Sequence, residues 1–359
     1  MKRTLSLLLT AALSLSLMAG CGPKAPAEGG SAASTPGSVS ASTGQPDGSG
    51  DASSAGDTSA AHGPTPRLMV LSGPTGVGAA KLMANADAGT PAATVEVVTD
   101  NSEVQAALVS KDVDIAAIAT NTAASLYAQT DGGIQVLAIN TLGVLYILEK
   151  GDTVHSIADL AGKTLYAPSN TKGANPEHIL NHLLEGNGVN PSEVNIEWIT
   201  PQEITVQMTS SDAGICMLPV PAATALMVQD SAVREAVSLS ETWEDLEGST
   251  LPMGCVVART EYIEEYPDMV AMFLSAYEKS IDYINDPNNL ADAAALVAQY
   301  GIAPNAKVAE KAIPQCSLTY VAGQEMKTAL EDYYTILFQA EPKSIGGGLP
   351  YDDFYYGVG

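Results

Sequence analysis

The chain has 359 residues, 46% of them hydrophobic and 16% charged, with 41 Asp and Glu against 16 Lys and Arg and a formal charge of −25. That length exceeds one ordinary domain, and the acid excess excludes nucleic acid or anionic lipid as partners gripped through a basic face. After Met18 no apolar run approaches the roughly twenty residues of a membrane span.

The first elements concern location. Lys2 and Arg3 precede an apolar run from Leu5 to Met18, which ends in Ala19-Gly20-Cys21. A short apolar segment behind a basic start and before small residues is a secretory signal, here residues 1–20. The cysteine after Met-Ala-Gly resembles the bacterial lipobox. That resemblance implies a Cys21 lipidated as the first residue of an extracytoplasmic protein, held to the membrane by acyl chains. Residues 21–66 are Gly, Ser, Ala, Pro and Thr with a few acids and no apolar period, so they are expected to be a disordered tether. Its reach is on the order of 35–40 Å.

From Arg67 onward strands and helices alternate. Leu68 to Leu71 reads as a strand, followed by Gly73-Pro74-Thr75-Gly76-Val77-Gly78 and a helix over 79–86. Residues 100–126 then align with 200–226 without a gap. Asp100 with Glu103 and Thr200 with Glu203 are two capping boxes at helix starts, the second strengthened by Pro201. Ile115 matches Ile215 and Ile118 matches Leu218 in short buried strands, and Ala123 and Leu126 match Ala223 and Leu226 in the helices beyond. Thr164 to Ala167, a loop from Ser169 to Asn175 and a helix opened by Pro176 repeat the first strand, loop and helix. The fold class is therefore α/β, two hinged lobes with parallel sheets covered on both faces.

Two consecutive strands, 135–141 and 143–148, carry the chain between lobes, and Leu251 to Ala258 carries it back. Helices over 266–285, 290–300, 305–313 and 323–339 complete the first lobe. The expected boundaries are 67–143 plus 258–359 for the first lobe and 144–257 for the second. Two crossings form a hinge, and a hinge between similar lobes forms a cleft.

In open parallel sheets a ligand sits beyond the carboxyl ends of the strands, where helix N-termini offer unpaired N–H groups. The loops reaching that edge are Gly73, Pro74, Thr75, Gly76 and Val77; Thr120, Asn121 and Thr122; Thr141 and Leu142; Asn170, Gly173, Ala174 and Asn175; and Pro219 and Val220. They carry hydroxyls, amides and glycine backbone with Lys172 as their one cation, a lining for an anionic or neutral polar solute rather than a cation. The glycines 73 and 78 lack the Gly-Lys-Ser/Thr ending of a phosphate loop and the spacing of a dinucleotide fingerprint. His178 and His182 stand four apart without an intervening glutamate base, and there is no CxxC pair, so neither a metal nor a cofactor is expected. Beyond Cys21, three cysteines allow at most one internal bridge, with Cys255 and Cys316 the pair that could form it and Cys216 read as a buried small hydrophobe in an apolar run.

The segments "GKTLYAPSNTKGANPEHILNHLLEGNGV", "MLPVPAATALM" and "GCVVARTEYIEEYPDMVAMFLSAYEKSIDYI" resemble the nitrate, sulfonate, taurine and thiamine-pyrimidine binding family of ABC-importer substrate-binding proteins. The resemblance implies a type II periplasmic-binding-protein fold and hinge closure on a small-molecule solute, which is then delivered to a membrane permease with its ATPase. It implies no catalysis. Enzymes of similar fold, of the pyrimidine or menaquinone-pathway type, and a solute sensor stand as alternatives.

Overall fold

The computed structural model describes residues 63–358; the expected signal segment 1–20, Cys21 and the tether up to residue 62 lie outside them. The last four residues assigned to the tether belong to the folded body. Pro66 is buried and its carbonyl accepts from Thr94 N at 2.9 Å, while Tyr262 donates to Pro64 O at 3.2 Å. These carbonyls find donors on the body, which a solvated tether would not offer.

The first run of elements is β1 (Arg67–Leu71), α1 (Pro74–Val77), α2 (Ala80–Asp87), β2 (Thr94–Val98), α3 (Asn101–Val109), β3 (Ile115–Ala119), α4 (Thr120–Gln129) and β4 (Ile134–Thr141). The second is β5 (Leu145–Lys150), β6 (Thr164–Pro168), α5 (Asn175–Gly186), β7 (Asn195–Ile199), α6 (Pro201–Ser210), β8 (Gly214–Pro219), α7 (Ala222–Gln229), β9 (Val233–Ser238) and α8 (Leu239–Glu247). The chain then returns through β10 (Gly254–Arg259), α9 (Thr260–Glu265), α10 (Pro267–Asn285), α11 (Leu290–Gln299), α12 (Ala306–Ala312), β11 (Leu318–Val321) and α13 (Gly323–Ala340).

One sheet has the order β11-β4-β10-β3-β1-β2 and the other β7-β6-β8-β5-β9. Setting β2, β1, β3, β10 and β4 beside β7, β6, β8, β5 and β9 gives one pattern twice, so the internal repeat is a repeat of topology. The sheets are mixed where all-parallel ones were expected. β5 runs antiparallel to β8 and β9, and β10 antiparallel to β3 and β4, because each is the first strand after the chain crosses from the other lobe and enters its sheet from the opposite end. β10 pairs along its whole length within the first sheet. The return crossing therefore lies before Gly254, ahead of the expected boundary at 257.

Local rules explain the elements. Thr200 and Glu203 form both bonds of the second capping box. The first box does not form: Asp100 accepts from Ser102 N and Ser102 Oγ instead, a shorter reach that its carboxylate satisfies two residues into the helix. Within the loop after β1, Pro74 opens a single helical turn that sequence periodicity cannot register, since four residues carry no period. Gly76 is needed there because a Cβ would stand 2.2 Å from Leu71 O.

Strands β3 and β10 are buried almost throughout, as strands covered on both faces are. At the end of the first sheet remote from its loops, Asp114 is buried between two arginines, 2.9 Å from Arg67 Nη2 and 2.8 Å from Arg259 Nη2. Burial pushes this carboxyl up, but hydrogen bonds from the Arg67 side chain and backbone and from Arg259 outweigh it and hold it below the usual carboxylate range. In the second lobe Glu149 is similarly buried, taking hydrogen bonds from Thr153 and Val154 and pairing with Arg234 at 2.6 Å. The aromatic tail is packed: Phe354 is buried and Tyr356 N donates to Val136 O at 3.0 Å.

Candidate functional site

Every loop expected to reach the cleft leaves the carboxyl end of a strand, and the two sets meet. The junction centres on Met253, the residue before β10. Thr120 N donates to Met253 O at 3.2 Å, Met253 N donates to Thr141 O at 3.0 Å, and Asn175 Nδ2 lies 3.7 Å from Met253 Sδ. Asn175 opens α5 in the second lobe and is buried. Its Oδ1 accepts from Tyr333 Oη on α13 of the first lobe at 2.7 Å. Thr120 Oγ1 donates to Pro252 O at 2.7 Å, and Thr120 O accepts from Tyr334 Oη at 2.9 Å. Burial raises the Tyr333 phenol well above its ordinary value despite the bond to Asn175, so it stays a donor at neutral pH.

A second junction lies under the loop after β1. Asn140, buried at the end of β4, donates from Nδ2 to Thr75 O at 3.1 Å and to Tyr277 Oη at 2.8 Å, while Thr141 Oγ1 donates to Asn140 Oδ1 at 3.1 Å. On the far side, Thr224 Oγ1 of α7 donates to Gln315 Oε1 at 2.6 Å, crossing from one lobe to the other. Val77 and Val220 share one apolar cluster with α11 and α12, so they are packed rather than solvent-facing.

A cavity of about 490 Å³ is bordered by Ser72 and Gly73 after β1, by Pro221, Ala222 and Ala225 at the start of α7, and by the turn from Ala298 to Pro304. The peptide bond Val220–Pro221 is cis. Gly73 has φ 118°, a region only glycine adopts without strain.

The expected lining is thus divided. Gly73 borders the cavity, whereas Thr120, Thr141 and Asn175 are buried, the first two bonded within the first lobe and to the link before β10 and Asn175 bonded across the lobes through Tyr333. Thr75 contributes its carbonyl to Asn140. Asn121 turns to Ser344 O, leaving its Oδ1 buried without a partner, and Leu142 N donates to Ser317 O. Asn170, Lys172 and Gly173 are exposed, with Gly173 N donating to the Glu177 carboxylate. Asn140, Met253, Tyr277 and Tyr333 were not foreseen at the site. Asn140 alone carries a signal, as a polar residue closing an otherwise apolar strand.

Away from the cleft, His182 Nε2 lies 2.7 Å from Glu247 Oε1 with its ring 5.2 Å from that of Trp243, and Trp243 in turn is 5.9 Å from Tyr333. Cys216, Cys255 and Cys316 are buried free thiols. Among the described residues no group of three or more His, Cys, Asp or Glu is placed to hold a metal ion, and no helix is long and apolar enough to cross a membrane.

A family model described as NMT1/THI5 like matches residues 95–290, more than half of the chain. No curated protein sequence matches it. Among solved structures, an ABC transporter from Parabacteroides distasonis is similar at a TM-score of 0.68 and 23% identity, covering 81% of this chain and 98% of that one. The periplasmic aliphatic sulphonate binding protein SsuA from Escherichia coli is similar at 0.64 and 15%, covering 79% and 91%. The periplasmic nitrate-binding protein NrtA from Synechocystis PCC 6803 is similar at 0.53 and 13%, covering 78% and 83%. At such identities the likeness is one of fold, two α/β lobes in the type II periplasmic-binding-protein arrangement.

Proposed function

The chain belongs to the NMT1/THI5-like family, and from that premise we propose that it is the extracytoplasmic solute-binding component of an ABC importer. It captures a small anionic or neutral polar molecule between its lobes and delivers it to a membrane permease with its ATPase. One observation carries this reading: two sheets of the same strand order turn the carboxyl ends of their strands toward each other, with Gly73 of one lobe and Pro221 of the other on the same cavity. The short links after Thr141 and before Gly254 serve as the hinge. The expected sites at Gly73 to Val77, Thr120 to Thr122, Thr141, Leu142, Asn170, Gly173 to Asn175, Pro219 and Val220 are then the surfaces that part and meet as it moves.

A solute that touches both lobes binds the closed form better than the open one and shifts the equilibrium by that difference in affinity. Binding suits the residues better than catalysis. Thr120, Thr141 and Asn175 are hydrogen-bonded to backbone, amide or phenol groups rather than to a base, and His155, His178 and His182 lie outside the cavity lining. Lipid attachment at Cys21 fits the same role, holding the protein near its permease.

The test is thermal unfolding of the purified protein against a panel of small solutes. A true ligand at a hundred times its dissociation constant adds about 2.7 kcal/mol of stability. A panel that leaves the melting temperature unmoved, or scattering that shows no compaction with a bound solute, would overturn capture by closure.

A further inference from the structure

We propose that the solute taken into this cleft is uncharged, a small molecule with an apolar face and hydrogen-bond acceptors, and not an organic or inorganic anion. The inference rests on the capture reading above and narrows it. The cavity of about 490 Å³ is of ligand size. Its walls are methyl and methylene groups of Ala222, Ala225, Ala298, Ile302 and Ala303, and no Lys, Arg, His, Asp or Glu is among its lining residues. The one side-chain hydroxyl there, Ser72 Oγ, already donates to Ile302 O at 3.2 Å.

The places where an anion would be held are missing or taken. Lys172, the cation nearest the loops of the second lobe in sequence, is exposed and outside the cavity. The backbone donor at Gly173, just ahead of α5, is occupied by the chain's own Glu177 carboxylate. α7 begins at the cavity with Ala222, without a side-chain cap, and the first N–H groups of a helix have no partner within it. A helix end favours a charge over a neutral acceptor by only about two- to fivefold in affinity, whereas sequestering an ion without a countercharge costs orders of magnitude. The formal charge of −25 opposes an anion's approach as well. A carbonyl oxygen or ring nitrogen, by contrast, accepts from those N–H groups and leaves no buried charge unpaired.

The experiment measures thermal unfolding and calorimetric binding of the purified protein with nitrate, sulfate and methanesulfonate in one arm and a panel of uncharged heterocycles, amides and nucleosides in the other, each at low and high salt. Expected is stabilisation by at least one uncharged probe, with a dissociation constant that salt leaves unchanged, and none by the anions. Ala225→Phe, and Ala298→Phe from the opposite wall should the first fail to fold, weaken that binding at least tenfold while the ligand-free melting temperature stays in place. An anion that stabilises the protein, with affinity falling as salt rises, overturns the charge class and leaves capture standing. Failure of every probe in both arms overturns the capture reading and this inference with it.

Discussion

Tyr333 of α13 donates its phenolic proton to Asn175 Oδ1 at the start of α5, a 2.7 Å bond between groups 158 residues apart and on different lobes. Both residues are buried. The bond ties the first lobe's last long helix to the second lobe's cleft loop.

Removing only that hydroxyl isolates its role. Tyr333→Phe leaves Asn175 Oδ1 buried without a donor, which costs the closed arrangement about 1–3 kcal/mol. Small-angle scattering of the ligand-free variant should then give a larger radius of gyration than the parent. An unchanged radius would show that this bond does not hold the lobes together.

Asp114 makes stability depend on acid. Its folded carboxyl lies below the ordinary range, so the stability it contributes is fully present above the unfolded value near pH 4 and is lost as pH falls through the folded one. Asp114→Asn leaves Arg67 and Arg259 facing a neutral amide and should cost about 2–4 kcal/mol at pH 7, moderated because Arg67 is half-exposed. Denaturant titrations at pH 7 and pH 3 check this: the gap between variant and parent narrows at the lower pH. A constant gap would show that lost packing rather than charge accounts for the effect.

Gly254 is held by crowding. A Cβ there would stand 2.5 Å from Thr75 Cγ2, 2.8 Å from Asn140 Oδ1 and 3.1 Å from Thr141 Cβ. Gly254→Ala should lower stability by about 1–3 kcal/mol, read as a shift in the urea midpoint, and should weaken solute capture by displacing the loop after β1. A midpoint equal to the parent's would mean that the Thr75 side chain simply turns aside.

Cys21 governs attachment in the proposed role. Cys21→Ser should move the protein from the membrane fraction to the soluble extracytoplasmic fraction, while a solute that stabilises the parent still stabilises the variant. Retention of the variant on membranes would point to an attachment other than acylation.

Much of this arrangement is legible from the chain. The offset of 100 residues aligning Ile115 with Ile215 is present in the structure as β3 and β8 holding equivalent places in the two sheets, and the helix expected over 266–285 spans Pro267–Asn285. Periodicity and caps are local signals, and these elements are governed locally. The partners of the site are not. Tyr333 lies in the apolar stripe Met326, Ala329, Leu330, Tyr333, Tyr334 and Leu337, where sequence reads a core position, and its hydroxyl finds Asn175 only once both lobes have folded. Met253 gives no sign of being a meeting point because its contacts to Thr120, Thr141 and Asn175 come from three separate loops. The antiparallel strands β5 and β10 escape the alternation rule because they are crossings: no helix links β4 to β5, α8 lies between β9 and β10 of different sheets, and so neither strand joins its own sheet through a strand-helix-strand unit.

The strand order has a bearing on how the molecule is made. The sheet that begins at Arg67 is not complete until β10 and β11 arrive, after Gly254 and Leu318, whereas the sheet that begins at Leu145 holds all its strands by Ser238. As the polypeptide emerges N-terminus first, the later-starting half is therefore ready to fold while the earlier half still waits for its central strand. Until then β3 and β4 carry unpaired edges where β10 will sit, so the early half is the portion more exposed to aggregation before the chain is complete.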